Sequence, residues 1–94
     1  MYERVVRFTD VSAERMERLA ARINEADGPP PGVKTSGLKL LFDASQRTAV
    51  ATQEFATAED MAEGAKVFEA MDTSETPGTR VSVDECEVKL DLKV

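Results

Sequence analysis

The chain contains no histidine, no tryptophan, one cysteine and five aromatic residues in 94, and each shortage closes off a class of function. Without histidine the commonest metal ligand and the usual general base are gone, and with them Ser-His, Cys-His and His-ligated haem chemistry. Cys86 alone cannot form an intrachain disulfide, a CxxC redox pair or an iron-sulfur site, which fits a reducing cytoplasm. Twelve Lys and Arg against eighteen Asp and Glu leave a net charge of -6. Phosphate neutralisation needs clustered cations, and single-strand binding adds stacking aromatics, so no nucleic acid is expected as a partner. No window approaches the run of about 18 apolar residues that a membrane helix needs, and Met1 to Phe8 lacks the apolar core of a signal peptide. A cytoplasmic protein with no membrane contact, no metal and no cofactor is expected.

Large apolar side chains are also scarce. Leu, Ile, Val and Phe make 21 of the 94 residues, and twelve more are Ala, a composition near the lower limit for a self-sufficient core. One domain over residues 1–94 is expected, and a core shared between two copies would remedy its thinness.

The pattern along the chain gives six elements. Tyr2 to Thr9 is rich in β-formers and reads as a strand. Met16, Leu19, Ala20 and Ile23 recur at helical spacing after Ser12, an N-cap, with Val11 and Met16 placed for a hydrophobic staple. Asp27-Gly28 and three prolines end that helix. Ser36 to Asp43 and Thr48 to Phe55 alternate as strands, joined by Ala44 to Arg47 in a hairpin. Thr57 to Asp60 is a capping-box pattern that opens a second helix through Met61, Gly64, Ala65, Phe68 and Met71. Gly64, costly inside a helix, signals close packing there. Asp72 to Arg80 is expected as a loop. Val81 to Val94 reads as one long strand with a phase slip at Asp84-Glu85, its apolar face being Cys86, Val88, Leu90, Leu92 and Val94.

The order β-α-β-β-α-β predicts an α+β, ferredoxin-like fold: a four-stranded antiparallel sheet with two helices on one face. Its other face would stay bare. A fourteen-residue strand spans about 46 Å, against a diameter of about 32 Å for a compact chain of this size. The tail Val88 to Val94 is therefore expected to reach a twofold mate, and a homodimer through sheet face and tail, closing an α+β barrel, follows.

The run from Asp43 through Phe55, Thr57 and Met61, preceded by Gly37-Leu38, resembles the central stretch of the dimeric α+β barrel proteins related to antibiotic biosynthesis monooxygenases. In that group the hairpin ends in an aromatic residue, most often Trp, followed by a small pair, a Ser or Thr cap and an acidic turn. The resemblance implies, for activity, cofactor-independent oxidation of a small phenol or quinol. Haem-degrading relatives use an Asn, a Trp and a His where this chain has Val6, Phe55 and about Ala65, so haem degradation is not implied. The oxygenases surround their substrate with a few polar donors, for which this chain offers Tyr2, Arg4, Arg7, Asn24 and Gln53.

Phe8, Phe42, Phe55, Met61 and Phe68 are the candidate pocket residues; large apolar side chains at this spacing either line a ligand site or fill the core. Arg4 and Arg7 have opposite parity, so at most one faces inward, to steer an anionic substrate or to pair with a strand carboxylate. Cys86 reads as a small buried hydrophobe, and Asp84, Glu85 and Glu87 as a solvated edge rather than a cation site. No catalytic residue can be named. A non-catalytic alternative stands beside the oxygenase: a stress-associated or ligand-binding dimer taking a small apolar molecule. An amino-acid-binding regulatory module also suits the topology but lacks an attached enzyme domain.

Overall fold

The computed structural model describes residues 1–70 and 76–94. Six elements follow in order: β1 (Tyr2–Thr9), α1 (Ala13–Glu25), β2 (Thr35–Asp43), β3 (Thr48–Phe55), α2 (Ala58–Ala70) and β4 (Thr79–Glu87). The four strands form one antiparallel sheet in the order β2-β3-β1-β4, which with the βαββαβ order is the ferredoxin-like arrangement. Among the described residues, no helix is long and apolar enough to cross a membrane. Met71 and part of the expected loop over 72–80 lie outside the described residues, and β4 already begins at Thr79.

Register and burial sort the sheet into two faces. Arg4, Val6 and Phe8 of β1 pair with Gln53, Ala51 and Ala49 of β3 and are buried on the helix side. The opposite face carries Val5, Leu41 and Val50 among Glu3, Lys39, Thr52 and Asp84. It is less apolar than a face built for burial alone, and Leu41 is half exposed.

The core falls into two clusters. Val6, Phe8, Val11, Met16 and Ala49 form one; Val33, Phe55 and Met61 form the other, with Tyr2, Val67 and Phe68 against it. The first holds the start of α1: Ser12 Oγ accepts from the Arg15 amide at 3.2 Å, and Val11 and Met16 close the staple expected around that cap. The second holds α2, whose first turn is capped by Thr57 Oγ1 on the Asp60 amide at 3.0 Å.

The last strand is shorter than its pattern predicts. β4 ends at Glu87, and among its following residues only the Val88 amide finds a backbone partner, the Met1 carbonyl at 2.9 Å. Leu90 and Leu92 are 75% and 72% exposed. Alternation makes a strand only where a neighbour supplies hydrogen bonds, and β1, the neighbour of β4, begins at Tyr2 opposite Glu87. The phase slip is displaced as well. It lies at Val81, because Arg7 pairs with Ser82 while Phe8 pairs with Arg80. Cys86 is exposed rather than buried; its partner across the ladder is Glu3, on the face that no helix covers.

Gly64 sits where the second helix comes closest to the sheet. A Cβ there would stand 2.8 Å from Cε1 and 3.0 Å from Cζ of Phe55, a ring with no solvent exposure. Gly64→Ala gains about 1 kcal/mol of helix propensity but overpacks a site where such insertions cost about 1–3 kcal/mol. Urea denaturation should show a lower midpoint for the variant; a higher one would mean that Phe55 has room to retreat.

Candidate functional site

β3 places Ala49 and Ala51 on the helix face, and side chains this short cannot reach across to a helix packed at ordinary distance. α1 is seated in the core at its beginning, with Met16 its single buried residue. Among the described residues, Leu19 and Ile23 of its later turns line open space rather than either core cluster. The space left is a half-open cleft of about 1060 Å³, at the large end of small-molecule sites. Val6, Leu40 and Ala51 floor it, Leu19 and Ile23 of α1 wall it, and Pro29 and Pro30 of the stiff connector lie at its edge.

Part of the polar lining forms one hydrogen-bonded cluster with Glu69. Arg4 lies on the apolar face of β1, 3% exposed, between the two core clusters. Its Nη1 donates to Gln53 Oε1 at 3.2 Å, its Nη2 to Glu69 Oε1 at 2.9 Å, and its guanidinium carbon lies 5.2 Å from the centroid of the Phe68 ring, a cation–π contact. Arg4 Nε, also buried, has no hydrogen-bond partner among the described residues. Glu69 is shared: Arg80 grips both its oxygens, at 2.8 and 3.2 Å.

The bulge explains why Arg80 takes part. Had the register of Arg7 with Ser82 run on unbroken, Val81 would pair with Phe8 and face the helices, and Arg80 would face away. Val81 as the extra residue reverses both: Arg80 pairs with Phe8 and turns toward Glu69, while Val81 is 60% exposed. Re-aiming one side chain is a recurrent use of β-bulges.

Three arginines, Arg4, Arg22 and Arg80, line the cleft and no carboxylate is among its described lining residues, while Glu69 offsets part of the charge of Arg4 and Arg80 from beside that lining. Burial lowers the pKa of Arg4, against the opposing pull of Glu69, yet a guanidinium remains charged at any working pH. The hydrogen bonds from Arg80 hold the Glu69 carboxyl below its ordinary range. The favourable share of this contact is therefore present at neutral pH and fades as acid carries the pH down through that depressed value. Asp43, lowered mainly by the Ser45 hydroxyl, belongs to the hairpin turn and not to the cleft.

Of the five candidate pocket residues, Phe8 and Phe68 line the cleft. Phe55 and Met61 lie in the second core cluster, and Phe42 stands partly exposed near the end of β2. Among the polar candidates, Arg4 and Gln53 are the inward pair, Arg7 and Asn24 are exposed, and Tyr2 packs beside Phe55. Arg4 pairs with a helix carboxylate rather than a strand one. Glu69 and Arg80 were not readable as site residues. Arg80 depends on a bulge that alternation misplaces, and Glu69 is one of many acids on a helix. The available signal was a polar residue in an apolar phase: Arg4 beside Val6 and Phe8, Gln53 between Ala51 and Phe55.

Comparison with known proteins gives no match to a family model, a curated protein or a solved structure. What the molecule does has to be read from its cleft.

Proposed function

We propose that this chain is a small-molecule-binding protein whose receptor site is the cleft between the sheet and α1. The observation that carries the reading is the cleft itself: about 1060 Å³ left unfilled by side chains in a chain short of large ones, with a mostly apolar lining. A protein interior normally packs to crystal-like density, and retaining this much unpacked apolar surface costs stability that a ligand would restore.

A second reading, cofactor-independent oxidation of a bound phenol or quinol, takes its support from the resemblance of residues 43–61 to the antibiotic biosynthesis monooxygenase group and from the buried guanidinium of Arg4 in the cleft. Cations in a site of low polarity favour the phenolate, the form that gives an electron to O₂. For 1-naphthol the reaction balances as naphthol plus O₂ giving 1,4-naphthoquinone plus water, the substrate supplying all four electrons. Binding is the better supported of the two, because the carboxylate that meets the arginines, Glu69, is engaged by both and held below its ordinary range, which makes it a weak base for a phenolic proton. N-phenyl-1-naphthylamine, a neutral probe that fluoresces in apolar surroundings, should bind with saturable enhancement and raise the melting temperature. No enhancement would remove the receptor reading, and O₂ uptake with 1-naphthol or a quinol would replace it with the oxygenase.

The protein is further proposed to work as a cytoplasmic homodimer, an α+β barrel. The support is the tail: Val88, Leu90, Leu92 and Val94 continue the parity of Cys86, on the uncovered face of the sheet, while Lys89 pairs with Glu87 at 2.6 Å and Lys93 with Asp91 at 3.4 Å on the other side. An alternating segment with its charges already paired and its leucines in water fits the open face of a second copy, where Val5, Leu41 and Val50 lie. Sedimentation equilibrium should give a dimer for the full chain and a folded monomer for a chain ending at Val88. A full chain that stays monomeric at high concentration, or a truncated one that still dimerises, contradicts the assembly.

A further inference from the structure

Glu69 lies in the last turn of α2, a turn that holds no basic residue. A carboxylate at this end faces the negative pole of the helix dipole. Its side chain is 50% exposed, so water is at hand for it. What holds it inward is the pair of guanidiniums, one buried and one half exposed, reaching it from β1 and from the bulged end of β4. Glu85, across the ladder from Arg4, is exposed at the sheet edge and makes no hydrogen bond to either arginine among the described contacts. Arg4 and Arg80 thus present a carboxylate-shaped seat at the end of an apolar cleft, and a carboxylate from the protein itself occupies it.

We propose that Glu69 is a displaceable stand-in for the carboxylate of the ligand: the cleft takes a small molecule with an apolar body and one carboxylate, which replaces Glu69 on Arg4 and Arg80. This rests on the reading of the cleft as a receptor site. The exchange conserves charge in the site. An incoming carboxylate inherits the charge-assisted hydrogen bonds from Arg80 and Arg4, and its body covers apolar lining such as Leu40 and Ala51. Glu69 returns to water, away from a dipole that disfavours it. The exchange also explains why a buried cation, Arg4, persists in so thin a core, since a buried arginine whose Nε has no partner among the described residues is a poor source of stability compared with an apolar residue of its size.

Isothermal titration of the full chain at pH 7.5 with 2-naphthoate and with 2-naphthalenemethanol, which share one bicyclic body, tests this. The carboxylate is expected to bind at least tenfold more tightly than the alcohol. Glu69→Gln, a change at a half-exposed side chain, should tighten naphthoate severalfold by removing the internal competitor and leave the alcohol unchanged. Arg80→Gln should shrink the preference to about twofold, and Arg4→Met should do the same; circular dichroism and the melting curve confirm that each variant is folded. Equal affinity for the two probes, or weaker naphthoate binding in Glu69→Gln, overturns the exchange while leaving the receptor reading intact. Failure of both probes where N-phenyl-1-naphthylamine binds also overturns it. Failure of all three defeats the receptor reading and the exchange together.

Discussion

One anchored turn holds α1 to the sheet, and the shape of the molecule follows from that. Val11 and Met16, on either side of the Ser12 cap, seat the start of the helix among Val6, Phe8 and Ala49. Beyond them the sheet offers the short Ala51 beside Leu40, and among the described residues Leu19 and Ile23 line open space instead of entering either core cluster. Ridges and grooves need side chains of matching depth to close. Here depth is missing on one side, and the helix becomes the wall of a cleft rather than a lid on a core.

The same shortage explains where the charges sit. β1 runs through both apolar clusters, and at Arg4, between them, it carries a guanidinium instead of an aliphatic residue. Gln53, its partner across the ladder, and Glu69 beside it each accept one hydrogen bond from it, and the Phe68 ring lies beneath it. The cost of burying this charge falls at the end of the cleft and nowhere else in the described core, in which the remaining fully buried large side chains are apolar. Bulge, buried arginine and splayed helix meet at one place, which is the pattern of a site rather than of scattered imperfections.

Much of this architecture is legible in the sequence. Tyr2 to Thr9, read from its β-formers, and Thr48 to Phe55, read from its alternation, form strands with the expected bounds, because both lie inside the sheet with neighbours on each side. The caps at Ser12 and Thr57 and the close approach at Gly64 are local rules obeyed locally. What failed is what depends on a neighbour. Leu90 and Leu92 alternate as in a strand yet have no strand beside them among the described residues, and Cys86 is exposed on the face away from Arg4 and Val6. The slip is visible as two parities, Val81 and Val83 against Cys86 and Val88, but parity cannot say which residue is the extra one. The site was half readable for the same reason: Arg4 and Gln53 break an apolar phase, whereas Glu69 and Arg80 join them only through the packing of α2 and the position of the bulge.

The central claim is that the space above Ala51 is an open cleft and not a core filled by side chains. Ala51→Leu, followed by urea denaturation, tests it most directly. With a cleft present, the added side chain buries apolar surface without displacing anything, and stability should rise by about 1 kcal/mol. A loss of about 1–3 kcal/mol, the response of a core already full, would contradict the account.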